Sequence, residues 1–82
     1  MNKLKYVVDE CDGFAIFPPY VNHDDVARLM ALRGFPVVGA GFIEIFDGEV
    51  HCYGKSQSLK MASRGSLDDT VIAKHLDLEV SQ

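Results

Sequence analysis

An Asp-Gly pair, Asp47-Gly48, lies between two runs of strand-forming residues and constrains the fold more than any other feature of this sequence. The runs are residues 42–46 and 49–53, and an Asp-Gly turn suits the positive φ that both central positions of a type I′ hairpin require. If Phe46 faces Glu49, alternation of side chains fixes two faces. The first face is apolar and holds Ile43, Ile45, Val50 and Cys52, whereas the second holds Phe42, Glu44, Phe46, Glu49, His51 and Tyr53. We expect the apolar face to lie on a core.

The size and charge of the chain limit its function classes. Its 82 residues are enough for a single domain, residues 1–82, and its net charge of −4 argues against a nucleic-acid binder. No apolar run approaches the ~20 residues of a membrane span, and the only cysteines are Cys11 and Cys52. These features predict a cytoplasmic protein with no membrane contact, no disulfide framework and no bound cofactor.

Two helices and two hairpins follow from the remaining patterns. A second Asp-Gly turn, at residues 12–13, joins strands at residues 5–9 and 14–17. Asn22 is a candidate N-cap for a helix that ends after Arg33, and Ser66 is a candidate N-cap for a second helix. The expected inner stripes are Val26, Leu29 and Met30 in the first helix and Ile72, His75 and Leu76 in the second. The order ββαββα predicts an α+β fold, a mostly antiparallel sheet with two helices packed on it.

One segment of this acidic chain is basic and rich in small polar residues. No acidic residue occurs from residue 50 to residue 67, while Lys55, Lys60 and Arg64 fall there, together with Gly54, Ser56 and Ser58. Glycine amides, serine hydroxyls and a following helix N-terminus are suited to binding an anion such as phosphate. The alternative is a solvated connection whose cations balance an acidic surface. Although Gly54-Lys55-Ser56 resembles the end of a P-loop, the upstream glycine of that motif is missing at the required spacing.

His23 is the candidate catalytic residue. It lies in the first turn of the first helix, where a histidine that titrates near neutral pH can act as a general base. The alternative is an exposed first-turn residue without a partner. The scattered cysteines and histidines show no zinc-ligand spacing, so no metal site is predicted.

Four pieces of the chain resemble the Janus/phosphohistidine phosphatase family. They are residues 5–8 (Lys-Tyr-Val-Val), 23–25 (His-Asp-Asp), 39–43 (Gly-Ala-Gly-Phe-Ile) and 50–56 (Val-His-Cys-Tyr-Gly-Lys-Ser), and they occur in the family's order. The resemblance implies that His23 is a general base for water attacking phosphohistidine. It also implies that Lys5 contacts the phosphate and that Ser56 and Ser58 belong to its binding loop.

Three hypotheses remain open from the sequence. The first is a non-catalytic module that binds a phosphorylated or acidic ligand or protein through Lys55, Lys60 and Arg64. The second is a small phosphatase-like hydrolase that uses His23. The third is a homodimerisation module in which a sheet edge or the Pro18-Pro19-Tyr20 segment makes the contact.

Overall fold

The computed structural model describes residues 3–80 and has two helices and seven strands in that range. The strands are β1 (Leu4–Asp9), β2 (Phe14–Phe17), β3 (Val37–Phe46), β4 (Glu49–Tyr53), β5 (Lys55–Ser56), β6 (Met61–Ala62) and β7 (Glu79–Val80). The helices are α1 (His23–Ala31) and α2 (Ser66–Leu76). The main sheet has the order β2-β1-β3-β4-β7, and β5 and β6 form a separate hairpin. All pairings are antiparallel except that of β4 with β7, so the predicted α+β fold is confirmed.

The central hairpin has the predicted register. Phe46 pairs with Glu49, Glu44 with His51, and Phe42 with Tyr53. Asp47 and Gly48 have φ of 53° and 78°, as a type I′ turn requires. The apolar face is buried at Ile43, Val50 and Cys52, but Ile45 is 36% exposed because it lies near the turn.

The two faces of the main sheet carry separate cores. Tyr6, Val8, Ile43 and Val50 pack with Ile72 of α2 on one face. On the opposite face, Val7, Phe17 and Ala40 pack with Val26 and Met30 of α1. Leu29 is 65% exposed, so only two of the three residues predicted for the inner stripe of α1 are packed.

The inner face of α2 differs from the prediction. Asp68, Asp69, Ile72 and Ala73 are its buried residues, while His75 and Leu76 are exposed. Hydrophobic periodicity predicted the wrong inner face for α2 because Asp68 and Asp69 point into the protein. There the Tyr6 hydroxyl and the Cys52 amide donate hydrogen bonds to them. Of the three residues predicted for the inner stripe, only Ile72 is buried.

Both helix starts also differ in detail from the capping predictions. Ser66 is the first residue of α2 and Gly65 occupies the N-cap position, with φ of 61°. Asn22 is the N-cap of α1, but in the described structure its side chain makes no capping hydrogen bond. The first helix ends at Ala31, two residues before Arg33, and Gly34 follows with φ of 86°.

Two glycines of β3 allow close packing, as their positions in the strand suggested. An added Cβ at Gly41 would lie 2.5 Å from the carbonyl oxygen of Tyr53, because the chain after β4 crosses directly over Gly41. An added Cβ at Gly39 would collide with the Asp68 carboxylate of α2. The pairing of β1 with β3 shifts next to Gly39, between Val8 and Asp9.

Candidate functional site

His23 is buried at the start of α1 and is only 4% exposed. Its Nε2 lies 2.8 Å from the carbonyl oxygen of Gly41. Because a carbonyl oxygen can only accept, Nε2 carries the proton in this contact and the neutral ring leaves Nδ1 unprotonated. The alternative prediction, that His23 is exposed and has no partner, is therefore wrong.

The surroundings of His23 favour its neutral form. Phe17 and Phe42 meet the imidazole edge-on, with ring centroids 5.4 and 6.1 Å away. Burial, followed by the nearby charge of Lys5, lowers the pKa of His23 below its ordinary value of 6.5. The bond to Gly41 and the charge of Asp24 oppose this shift. A histidine that is neutral at pH 7 can accept a proton, as a general base must.

Lys5 reaches the same region from β1. It pairs with Phe42 across the sheet, so the two residues share the face on which α1 packs. Its Nζ donates a hydrogen bond to the carbonyl oxygen of Val21, 3.0 Å away, in the turn before α1. This bond holds the ammonium group beside the start of the helix and leaves its other two N–H groups for a further acceptor.

The segment after β4 supplies the third side of the region. Gly54, with φ of 76°, turns the chain out of β4 into the β5–β6 hairpin. The Ser63 amide donates to the Gly54 carbonyl oxygen at 2.9 Å and closes this segment at its base. Within the hairpin, Ser56 is buried; its Oγ accepts from the Leu59 amide at 3.2 Å and lies 3.3 Å from Ser58 Oγ.

These three parts of the chain line one cavity of about 490 Å³. Of the residues proposed from the sequence, the structure brings together Lys5, His23, Gly54, Lys55 and Ser58. The other lining residues are Asn22, Phe42 and Gln57, which sequence reasoning missed. Phe42 and Asn22 were noted only for their positions in a strand and at a helix start. Asn22 directly precedes His23 in the sequence, whereas only the folded chain places Phe42 beside it.

Three proposed residues lie outside this cavity. Ser56 is turned inward and uses its hydroxyl within its own hairpin. Lys60, with φ of 52°, lines a separate depression beside Met61 and Ala62. Arg64 forms an ion pair with Asp68 of α2, in which its Nε lies 2.7 Å from Oδ1.

The carboxylate of Asp68 is the centre of a buried polar cluster that the sequence did not predict. The Tyr6 hydroxyl donates to Asp68 Oδ2 at 2.5 Å, and Ser63 Oγ lies 2.6 Å from the same hydroxyl oxygen. The Arg64 amide also donates to Oδ2, at 2.9 Å. Asp68 is fully buried, and burial together with this carboxylate raises the pKa of Tyr6. The cluster therefore fixes both the start of α2 and the end of the basic segment.

Asp69 fills a similar role beside β4. Its Oδ1 accepts a hydrogen bond from the Cys52 amide of β4 at 2.6 Å. Burial and the Asp69 carboxylate raise the pKa of the Cys52 thiol. The only indication of these buried aspartates in the sequence was an Asp-Asp pair in the first turn of a helix. Exposed aspartates that stabilise a helix N-terminus give the same pattern.

Residues 3–78, whose side chains the structure describes, hold no group of three or more His, Cys, Asp or Glu placed to bind a metal ion. Neither helix of this range is long and apolar enough to cross a membrane.

Comparisons with models of known protein families, with curated proteins and with solved structures gave no match. The resemblance to the Janus/phosphohistidine phosphatase family stays a prediction.

Proposed function

We propose that this protein binds a phosphoryl group in the cavity between the start of α1 and the Gly54–Ser58 segment. The observation that carries the proposal is the charge of the cavity wall. Lys5 and Lys55 line it, and among the residues that the structure describes none of the eight that line it is acidic, although the whole chain carries twelve acidic residues against eight basic ones. A concave site of one charge attracts the opposite charge.

The chemistry of the lining groups suits a phosphoryl group. The Lys5 and Lys55 ammonium groups can each donate charge-assisted hydrogen bonds to phosphate oxygens. Ser58 adds a hydroxyl, and the absence of a side chain at Gly54 leaves its backbone open to a close approach. The volume falls in the usual range of ~300–1,000 Å³ for ligand sites, which is room for a phosphorylated side chain.

Binding of inorganic phosphate tests this proposal directly. Titration followed by amide chemical shifts should move the signals of Gly54 and Ser58 in the wild type. The Lys55→Met variant removes an exposed cavity cation without disturbing packing and should weaken binding by about tenfold. Lys74→Met, which changes an exposed lysine of α2, is the matched control and should bind as the wild type does. Equal loss in both variants, or no shift at Gly54, would refute a phosphoryl site here.

Hydrolysis is a second candidate, favoured by the hydrogen bond that gives His23 its tautomer. With Nε2 protonated against Gly41, Nδ1 can take the proton of a water molecule whose oxygen bonds to phosphorus. In a phosphohistidine the phosphorus–nitrogen bond would break, and the released imidazole would take up a proton from solvent. The resemblance described above implies this same substrate class.

Turnover of a phosphohistidine peptide separates catalysis from binding. If His23 is the base, activity should fall when the pH drops through the lowered pKa of the imidazole, which lies below the ordinary value of 6.5. A His23→Ala variant should lose turnover by at least ~100-fold. If that variant keeps full turnover, the hydrolase proposal fails while phosphoryl binding still stands.

A further inference from the structure

The face of the central hairpin that carries Phe42 continues beyond the proposed phosphoryl cavity. Phe42 lines that cavity, and the ring of its partner Tyr53 lies 6.0 Å away, centroid to centroid. The His51 ring in turn stacks on Tyr53 at 5.3 Å. Glu44 faces His51 and accepts a hydrogen bond from the Tyr53 hydroxyl at 3.3 Å. The aromatic rings therefore form a continuous floor that leads out of the cavity along β3 and β4.

This floor ends in a second depression of about 390 Å³, whose charge is opposite to that of the cavity. It is lined by Glu44, Phe46, Asp47, Glu49 and His51. Three of these side chains are carboxylates, and no lysine or arginine is among them. The Phe46 ring is 70% exposed, so it offers an apolar surface beside these carboxylates.

The boundary between the two charges lies at Phe42. The Lys3 ammonium group is 5.6 Å from the centroid of the Phe42 ring, so the basic end extends to that point. Glu44 is the next residue outward on this face of β3, and Phe46 follows it. With a rise of ~3.3 Å per residue, they lie about 7 and 13 Å beyond Phe42 along the strand.

We propose that the acidic face of the hairpin binds a lysine or arginine located two to four residues from a phosphorylated residue of a peptide. The inference rests on the proposed phosphoryl site, which would hold the phosphate at the other end. An extended peptide advances by ~3.3 Å per residue, so the spacing of the two depressions sets this separation. The stem of the basic side chain packs on Phe46 and its charge lies among Glu44, Asp47 and Glu49.

Charge complementarity favours a peptide of this type as the ligand of the cavity and the acidic depression together. The cavity offers two ammonium groups to an anion, and the hairpin face offers three carboxylates to a cation. A peptide with an acidic residue in place of the basic one would meet like charges and bind more weakly. The protein thus selects phosphorylated residues by their neighbours.

Fluorescence anisotropy with labelled phosphoserine peptides tests this selection. The set consists of alanine-rich decapeptides with one phosphoserine and a lysine two, three or four residues away on either side. Matched peptides carry alanine or glutamate in place of that lysine. In ~50 mM salt, at least one lysine peptide should bind about three- to tenfold more tightly than its alanine counterpart, and the glutamate peptide should be weakest.

Variants of the hairpin face provide the decisive comparison. The Glu44→Gln/Glu49→Gln double variant should lose the preference for lysine and still bind inorganic phosphate. Glu10→Gln, an exposed change in the turn after β1, is the control and should keep the preference. If phosphate binds but lysine and alanine peptides bind equally, or if the preference survives in the double variant, the inference is overturned and the phosphoryl site remains. If neither phosphate nor any phosphopeptide binds, both the phosphoryl site and this inference fail.

Discussion

Replacing Asp68 by asparagine should destabilise this protein more than any other single change of charge that preserves side-chain shape. The carboxylate is fully buried and accepts three hydrogen bonds, from the Tyr6 hydroxyl, the Arg64 amide and Arg64 Nε. An asparagine has one oxygen and one NH₂ group. One orientation of the amide turns the NH₂ toward Arg64 Nε, and the other turns it toward the Arg64 backbone amide, so a donor meets a donor in either case.

The magnitude follows from these contacts. Breaking a buried ion pair costs about 3–5 kcal/mol, but the Arg64 side chain is 31% exposed and can turn toward water. The Tyr6 hydroxyl can rotate, whereas the Arg64 amide cannot. We therefore expect a loss of about 3 kcal/mol in the free energy of unfolding. A domain of this length has a total stability of about 4–12 kcal/mol, so the variant is weakened substantially and can still fold.

Urea unfolding followed by circular dichroism measures the loss. With an m value of roughly 1 kcal/mol/M, the midpoint should fall by about 3 M with little change in slope. Asp25→Asn is the matched control, because Asp25 forms an exposed ion pair with Arg28 at 3.6 Å. That change should shift the midpoint by less than about 0.5 M. A loss in Asp68→Asn no larger than in the control would refute the account of the buried cluster.

Three further predictions test other features. Gly41→Ala places a Cβ 2.5 Å from the carbonyl oxygen of Tyr53 and should lower the free energy of unfolding in urea by about 3 kcal/mol. The control Gly48→Ala, whose Cβ meets no atom within 4 Å, should lower it by about 1 kcal/mol. Similar losses in the two variants would contradict the close approach of the chain to Gly41. The lowered pKa of His23 means that the unfolded chain binds more protons below pH 6.5, so stability should decrease with falling pH by up to about 1.4 kcal/mol per unit. Thermal unfolding of His23→Gln should show a weaker dependence, and an identical pH profile would argue against this. Iodoacetamide should label the exposed Cys11 in the native protein and leave the buried Cys52 unmodified until urea is added, which mass spectrometry of the peptides can check.

The features predicted well from the sequence are those set by local chemistry. Asp47-Gly48 defines a turn of two residues, and that turn fixes the whole register of β3 and β4. The second Asp-Gly pair lies in the four-residue connection between β1 and β2, and the bounds of both strands are within a residue of those predicted. The glycines of β3 indicated a bulge or a close backbone approach. The structure shows close backbone at Gly41, and a register shift together with the Asp68 carboxylate beside Gly39.

The features predicted poorly depend on partners that are distant in the sequence. Asp68 is buried because Tyr6, 62 residues away, donates to it, and periodicity alone assigns an aspartate to the solvent side. His23 can be buried because the backbone oxygen of Gly41, 18 residues away, accepts a hydrogen bond from its ring. The residue types in the sequence carry no information about such a backbone acceptor. Arg64 was grouped with the anion-binding lysines, although the acid that binds it lies only four residues further along the chain.

Gly41 links two walls of the proposed binding pocket. Its carbonyl oxygen orients the imidazole of His23 on one side of the pocket. Because it has no side chain, the backbone of Tyr53 and Gly54 can pack against it, which places Gly54 on the other side of the pocket. A substitution there would disturb both walls together. Engineering a new ligand preference should therefore leave position 41 intact and vary Asn22 and Gln57, which also line the cavity.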